Sequence, residues 1–325
     1  MPTDPATMRA AQLVAPGTMR VVQTERPRPG ADEVLIRVEG CGVCASNLLP
    51  WQGSEWIDYP LPPGGLGHEP WGVVEAVGSA VTNVSPGDRV AALTGASYAE
   101  YDLAPAASCV RLPPELDGQP FPGEAIGCAF NIFRRSSIGA GQTVAIIGIG
   151  FLGAILTRLA SRAGARVIAI SRRPESLALA EQFGADHVIP MEDHGAIIER
   201  VGALTGGRGC ECVIEAVGKQ WPLDLAGELV GEGGRLVIAG YHQDGPRQVN
   251  MQMWNWKGID IVSAHERNPA VQRRGLAEAV AAVAAGWLDP TPLYSAAYPI
   301  ERLGEALDAT AEKPDGFVKA WVRLA

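Results

Sequence analysis

One stretch constrains the rest of the chain more than any other: Thr143 to Ser171. An apolar run, Val144-Ala145-Ile146-Ile147, leads into the turn Gly148-Ile149-Gly150-Phe151-Leu152-Gly153 and a helical pattern through Leu156, Leu159 and Ala160. After Gly164 comes a second apolar run, Val167-Ile168-Ala169-Ile170. Strand, glycine turn, helix and strand at this spacing make the G-x-G-x-x-G unit that cradles a dinucleotide. Gly148 permits the tight turn, Gly150 lets the backbone approach a pyrophosphate, and Gly153 lets helix pack against strand. Phe151 and Leu152 open the helix, whose unpaired N–H groups and positive dipole end suit the phosphates.

The second strand ends Ser171-Arg172-Arg173-Pro174. Folds that bind NAD usually place Asp or Glu near this point to hold the ribose 2′-OH. Here the carboxylate is missing, and two guanidiniums stand where a 2′-phosphate would sit. The planar fork of Arg is suited to phosphate, so the reading is NADP(H) in preference to NAD(H).

With 325 residues the chain is long enough for two domains. Its net charge of −9 argues against a nucleic-acid or anionic-membrane surface. The opening Met1-Pro2-Thr3-Asp4-Pro5 has no apolar core of a signal peptide. The most apolar region, 144–160, is broken by glycines and Arg158, which argues against a membrane span. Six cysteines, at 41, 44, 109, 128, 210 and 212, are scattered through a chain with no export signal, a pattern of buried, metal-binding or catalytic thiols. The expected location is the cytoplasm.

Residues 8–115 hold short β-type segments cut by Gly and Pro: a hairpin of Met8–Val14 and Met19–Gln23 around Pro16-Gly17, then strands at 33–39, 71–77 and 89–93. From about residue 123 helices and strands alternate, which predicts a parallel sheet. Beyond the fingerprint, helices are expected over 174–183, 195–204 and 223–230, with strands at 187–189, 212–215, 235–239 and 259–262. Six strands with intervening helices match the doubly wound α/β fold. The tail has an Ala-rich helix over 274–285 and a final β-like run, Phe317 to Val322, that has nothing local to pair with and is expected to return to the first domain.

Three short segments carry groups with chemistry: Cys41-Gly42-Val43-Cys44-Ala45-Ser46-Asn47, then Gly67-His68-Glu69, then Gly123-Glu124-Ala125-Ile126-Gly127-Cys128. All three read as Gly-rich turns. A thiolate, an imidazole and a third sulfur or oxygen ligand, with one position open, is the makeup of a catalytic zinc site. Such a zinc polarises a bound alcohol or carbonyl oxygen, and beside a nicotinamide cofactor the chemistry is hydride transfer between alcohol and carbonyl.

On these segments, the glycine fingerprint, and Trp256-Lys257-Gly258 before the last cofactor strand, the chain resembles the zinc-dependent medium-chain dehydrogenase/reductase superfamily, the alcohol and polyol dehydrogenase group, over essentially its full length. The resemblance implies a doubly wound Rossmann domain (129–265) inserted into a GroES-like, mostly β catalytic domain (1–128 and 266–325). Cys44 and His68 match the first two zinc ligands, and Glu69 the glutamate that ligates directly or exchanges with substrate or water. Cys128 falls at the third-ligand position of the alcohol-dehydrogenase branch and Glu124 at that of the polyol branch; thiolate affinity for zinc favours Cys128. Ser46 matches the hydroxyl that passes the substrate's proton toward solvent, and Lys319 the basic residue near the cofactor pyrophosphate. The resemblance also implies a small-molecule substrate and a homodimer or homotetramer, through the last cofactor strand.

Three positions depart from that pattern. Asn47 stands where Asp is usual, Leu49 where some relatives carry a relay histidine, and Thr94 to Tyr101 where a four-cysteine structural-zinc lobe would lie. One catalytic zinc and no structural zinc is therefore expected. Cys41, Cys109, Cys210 and Cys212 read as packing residues and His187 and His194 as solvated. His242 and His265 follow strands whose ends face the cofactor. Trp51, Trp56 and Tyr59 read as a pocket wall or a packed loop, and Trp254 and Trp256 as a subunit contact. A zinc-free NADPH quinone or enone reductase of the same superfamily is the alternative enzyme, though it lacks the Cys/His set. A nucleotide-binding scaffold or sensor without turnover is the alternative outside catalysis.

Overall fold

The computed structural model describes residues 6–324; the reading of Met1–Pro5 lies outside them. The chain divides into two compact units, Met1–Gly127 with Asn268–Ala325, and Cys128–Arg267.

In the first unit β1 (Thr7–Ala15) and β2 (Thr18–Glu25) form an antiparallel hairpin, with Gly17 at φ 65° in its turn. Then come β3 (Glu33–Gly42), α1 (Leu48–Gln52), β4 (Pro70–Val77), β5 (Arg89–Ala92), β6 (Tyr101–Pro105) and β7 (Cys109–Arg111). Helix α2 (Gly123–Ser136) starts in this unit. Glu124 and Cys128, expected in a Gly-rich turn, therefore lie on a helix. Its glycines serve packing, not turning. A Cβ at Gly123 would sit 2.5 Å from Leu276 Cδ1, and one at Gly127 would sit 2.7 Å from the Leu276 nitrogen.

The second unit runs β8 (Thr143–Ile147), α3 (Phe151–Arg162), β9 (Arg166–Ser171), α4 (Pro174–Gln182), β10 (His187–Pro190), α5 (His194–Thr205), β11 (Cys210–Glu215), α6 (Gln220–Leu229), β12 (Val230–Ile238), α7 (Met251–Lys257) and β13 (Asp260–Ser263). All neighbouring strands are parallel, in the order β10-β9-β8-β11-β12-β13. That is the 3-2-1-4-5-6 order of a doubly wound dinucleotide fold. The central β8 is buried at every position, as a strand covered on both faces requires. Local chemistry sets the helix ends: the Asp193 carboxylate accepts from Ala196 N at the start of α5, and Gly206, at φ 60°, ends it. Lys257 ties the end of α6 by donating to the Gly227, Glu228 and Val230 carbonyls.

The tail adds α8 (Pro269–Ala284), β14 (Tyr294–Pro299), α9 (Leu303–Glu312) and β15 (Lys319–Arg323) to the first unit. Helix α8 begins at the cap Asn268 with Pro at its first position, five residues earlier than periodicity alone indicates. Strand β15 pairs antiparallel with β3, Trp321 opposite Gly42 and Val322 opposite Cys41. This pairing lays Lys319 beside the segment that carries Cys44. Cys41, Cys109 and Cys210 are buried in the apolar clusters, and Cys212 is buried as well.

Candidate metal centre

The end of β3 and the start of β4 are paired, Cys41 opposite Pro70, and Gly42 N donates to the Glu69 carbonyl at 3.1 Å. That pairing brings Cys44, just past β3, to His68 and Glu69, just before β4. Gly42 must be glycine here, since a Cβ would sit 1.8 Å from Glu69 Oε2. The loop ahead of His68 is pressed against Ser97-Tyr98, because a Cβ on Gly67 would lie 2.2 Å from the Tyr98 nitrogen.

Among the described residues one group of Cys, His and acidic side chains converges: Cys44, His68 and Glu69 offer ligand atoms within 4.8 Å of one another. Ligands around a tetrahedral zinc lie about 3.3–3.8 Å apart, from bonds of about 2.0–2.3 Å. Cys44 and His68 are half-buried, while Glu69 is fully buried. Burial by itself disfavours the charged His68 imidazole, but the Cys44 sulfur, then Glu124 and Glu69, outweigh it and raise its pKa to about 10. Negative potential around a half-buried imidazole favours a bound cation. The donor set and the local charge fit zinc.

The expected third ligand Cys128 is not a member of the converging group. It sits on α2, one turn after Glu124, in the second unit. Glu124 belongs to the first unit and acts electrostatically on both His68 and Lys319. Ser46 lies half-buried in the 3-10 turn Ala45–Asn47. Lys319, expected near the cofactor pyrophosphate, is buried with its Nζ 2.9 and 2.7 Å from the two Glu69 carboxylate oxygens and 3.2 Å from the Val43 carbonyl. Burial disfavours its charge, yet Glu69, Cys44 and Glu124 hold its pKa above the ordinary lysine value. No local signal marks this pair, whose members are 250 positions apart.

In the second unit each fingerprint glycine has a visible cause. Gly148 has φ 96°; a Cβ on Gly153 would lie 2.0 Å from the Gly148 carbonyl oxygen; Gly150 has nothing within 4 Å of where its Cβ would be. The space over Gly150 is open at the N-terminus of α3, where Phe151 and Leu152 form the first turn. Ser171 is buried at the end of β9, and Arg172 is exposed. Arg173 precedes α4, with Nη2 3.2 Å from Ser176 Oγ and Nε 3.6 Å from Glu175. One group went unnoticed in the sequence: the buried Glu215 at the end of β11 accepts from Val217 N and Gly218 N and lies 3.0 Å from His242 Nε2. Arg247 Nε donates to His242 Nδ1, which ties that histidine into the loop after β12. Trp51 packs in the first unit's core with its Nε1 on Asp308, Trp254 is buried, and Trp56 and Trp256 are exposed.

The pattern of the alcohol dehydrogenase GroES-like domain matches residues 30–114, and that of the zinc-binding dehydrogenase family matches 152–283. An alcohol dehydrogenase of Geobacillus stearothermophilus is 32% identical over 258 residues, 68% of this chain and 74% of that protein. The chain belongs to the zinc-type medium-chain dehydrogenase/reductase superfamily. Another relative, the sorbitol dehydrogenase of Bacillus subtilis, is 27% identical over 98% of both chains. An NADP-bound crystal structure from Sinorhizobium meliloti 1021, described as a zinc-binding dehydrogenase, shares 27% identity and superposes with a TM-score of 0.84 over 98% of this chain and 99% of that one. This member of the superfamily is thus an oxidoreductase with a Rossmann sheet and a GroES-like domain. Among the described residues no helix is long and apolar enough to cross a membrane.

Proposed function

We propose that this chain is a zinc- and NADP(H)-dependent dehydrogenase that moves a hydride between the nicotinamide and a secondary alcohol or polyol carbon, or the matching ketone or aldehyde. The observation that carries the reading is the convergence of Cys44, His68 and Glu69 in a chain that also holds an open dinucleotide turn. When bound, zinc supplies Lewis acidity to the substrate oxygen and the nicotinamide accepts or returns the hydride. Cys44 and His68 hold the metal; Glu69, held in place by Lys319, is the converging carboxylate, and Glu124 and Cys128 are the further candidate ligands. The Ser46 hydroxyl, two residues past Cys44, takes the substrate's proton and hands it toward solvent. Exposed Arg172, where a carboxylate is missing, receives the 2′-phosphate, and the NADP-bound neighbour supports that choice. One catalytic zinc per chain is expected.

The edge strand β13 has one sheet neighbour, and Ile261 and Trp256 are exposed on and beside it. We place a second copy of the chain there, forming a homodimer or, through further contacts, a homotetramer. Among the described residues none of the six cysteines forms a disulfide, which fits a cytoplasmic enzyme.

The test is metal analysis of the purified protein together with reduced-nicotinamide absorbance over a panel of secondary alcohols and polyols. About one zinc per chain, turnover with NADP+, and loss of both metal and turnover in Cys44→Ser are expected. Arg172→Ala should weaken NADP+ about 10- to 100-fold, the worth of a charged hydrogen bond, and leave NAD+ unchanged. A protein that turns over equally well without zinc would refute the reading.

A further inference from the structure

His68 Nδ1 lies 2.7 Å from the Leu66 carbonyl oxygen. A carbonyl can only accept, so Nδ1 keeps its proton and Nε2 is the nitrogen that can give up its own to a metal. The direction of that carbonyl is not a relaxed one. Leu66 has φ 75°, in the left-handed region that a leucine rarely adopts. Two buried side chains hold it there. Asn47 Nδ2 donates to the same Leu66 carbonyl at 3.2 Å, and the Tyr98 hydroxyl donates to Asn47 Oδ1 at 2.8 Å. Asn47 and Tyr98 are almost completely buried. Burial raises the Tyr98 pKa well above the ordinary phenol value, with Cys41, Glu69 and Cys44 adding to it, so the hydroxyl stays a donor. The amide orientation follows: its oxygen meets the phenol and its nitrogen meets the carbonyl.

We propose that Tyr98 and Asn47 are positioning residues that hold Leu66 in its left-handed conformation, so that a neutral backbone carbonyl, not a carboxylate, fixes the tautomer and aim of His68. The inference rests on the metal-centre reading above. It gives Asn47 a reason that no metal contact supplies. An aspartate at this position could not donate to the Leu66 carbonyl, and would set two acceptors against each other. It would also add negative charge to a cluster where Cys44, Glu69 and Glu124 already act together on Lys319. Groups that orient a metal-binding histidine are worth about 10- to 100-fold in metal affinity.

The experiment measures zinc affinity by competition with a chromophoric chelator, using wild type, Asn47→Ala, Tyr98→Phe, Leu66→Gly and the pair Asn47→Ala with Leu66→Gly, each checked for folding by circular dichroism. Asn47→Ala should weaken zinc about 10- to 100-fold, with Tyr98→Phe weaker in the same direction. Glycine needs no restraint to stay at positive φ, so the same Asn47→Ala change should cost less than about threefold in the Leu66→Gly background. Should Asn47→Ala not fold, Tyr98→Phe alone and paired with Leu66→Gly makes the same comparison from the other end of the chain of bonds. A second readout is nitrogen NMR of the zinc-loaded protein labelled at its five histidines, with His68 assigned by His68→Gln. A protonated Nδ1 is expected. An Nε2–H tautomer, or an equal loss whether or not the Leu66→Gly change is present, overturns the inference. A wild type that binds no zinc, or a Cys44→Ser variant that binds it equally well, removes the centre itself and is a distinct result.

Discussion

Replacing Lys319 with Met tests the charge arrangement behind the candidate centre. Its ammonium sits 2.7 and 2.9 Å from the two Glu69 oxygens, and both partners are buried. Methionine keeps most of the volume and removes every donor, so Glu69 is left as a buried carboxylate without its ammonium partner. Breaking one side of a buried pair costs about 3–5 kcal/mol. At about 2–4 °C per kcal/mol for a unit of this size, the melting temperature should fall by about 6–20 °C. The assay is urea and thermal unfolding of chelator-treated protein, so that metal ligation does not contribute. Glu69→Gln alone should also destabilise, since it leaves the buried ammonium without its counter-charge. The double variant, lacking both charges, should recover to within about 1–3 kcal/mol of wild type, because no unpaired buried charge remains and the residual cost is that of one buried amide without its partner. A Lys319→Met protein within about 1 kcal/mol of wild type, or two losses that simply add, would refute the reasoning.

Further outcomes follow from the same geometry. Gly42→Ala puts a Cβ 1.8 Å from Glu69 Oε2 and 2.9 Å from Pro122 Cβ; it should cost about 1–3 kcal/mol in urea unfolding and weaken zinc in a chelator competition. Gly150→Ala, entering open space, should keep the wild-type melting temperature while NADP+ binding by fluorescence titration weakens. Gly153→Ala, whose Cβ meets the Gly148 carbonyl oxygen at 2.0 Å, should destabilise by about 1–3 kcal/mol or more. In the metal-free protein, His68 holds its proton up to about pH 10, well above the ordinary 6.5. Zinc must displace that proton, so from His68 alone apparent affinity should rise about tenfold per pH unit between pH 7 and 9. The linked stability runs the other way: the contribution of charged His68 is complete below about pH 6.5 and is lost as pH rises through about 10. Chelator competition and urea unfolding at pH 7, 8 and 9 check both slopes.

Local chemistry made much of this protein readable from its residues. The fingerprint turn, the six parallel strands and the first-unit hairpin follow from apolar periodicity and from glycines whose backbone angles no other residue adopts comfortably, as at Gly148. Cys44, His68 and Glu69 were legible because each lies in a short motif of recognisable residues. Helix α2 was obscured because Gly123 and Gly127 look like turn residues, whereas the structure uses them for close packing against Leu276. What only tertiary structure decided are contacts between residues far apart in the chain. These include the pairing of β15 with β3, which delivers Lys319 to Glu69, and the bonds from Tyr98 through Asn47 to the Leu66 carbonyl. The reason is physical: periodicity and turn preference act over a few residues, whereas the partner of a buried charge or amide is set by which distant strand is laid beside it. The residue types that bind and react were therefore written in the order of the chain, and their orientation was written in its packing.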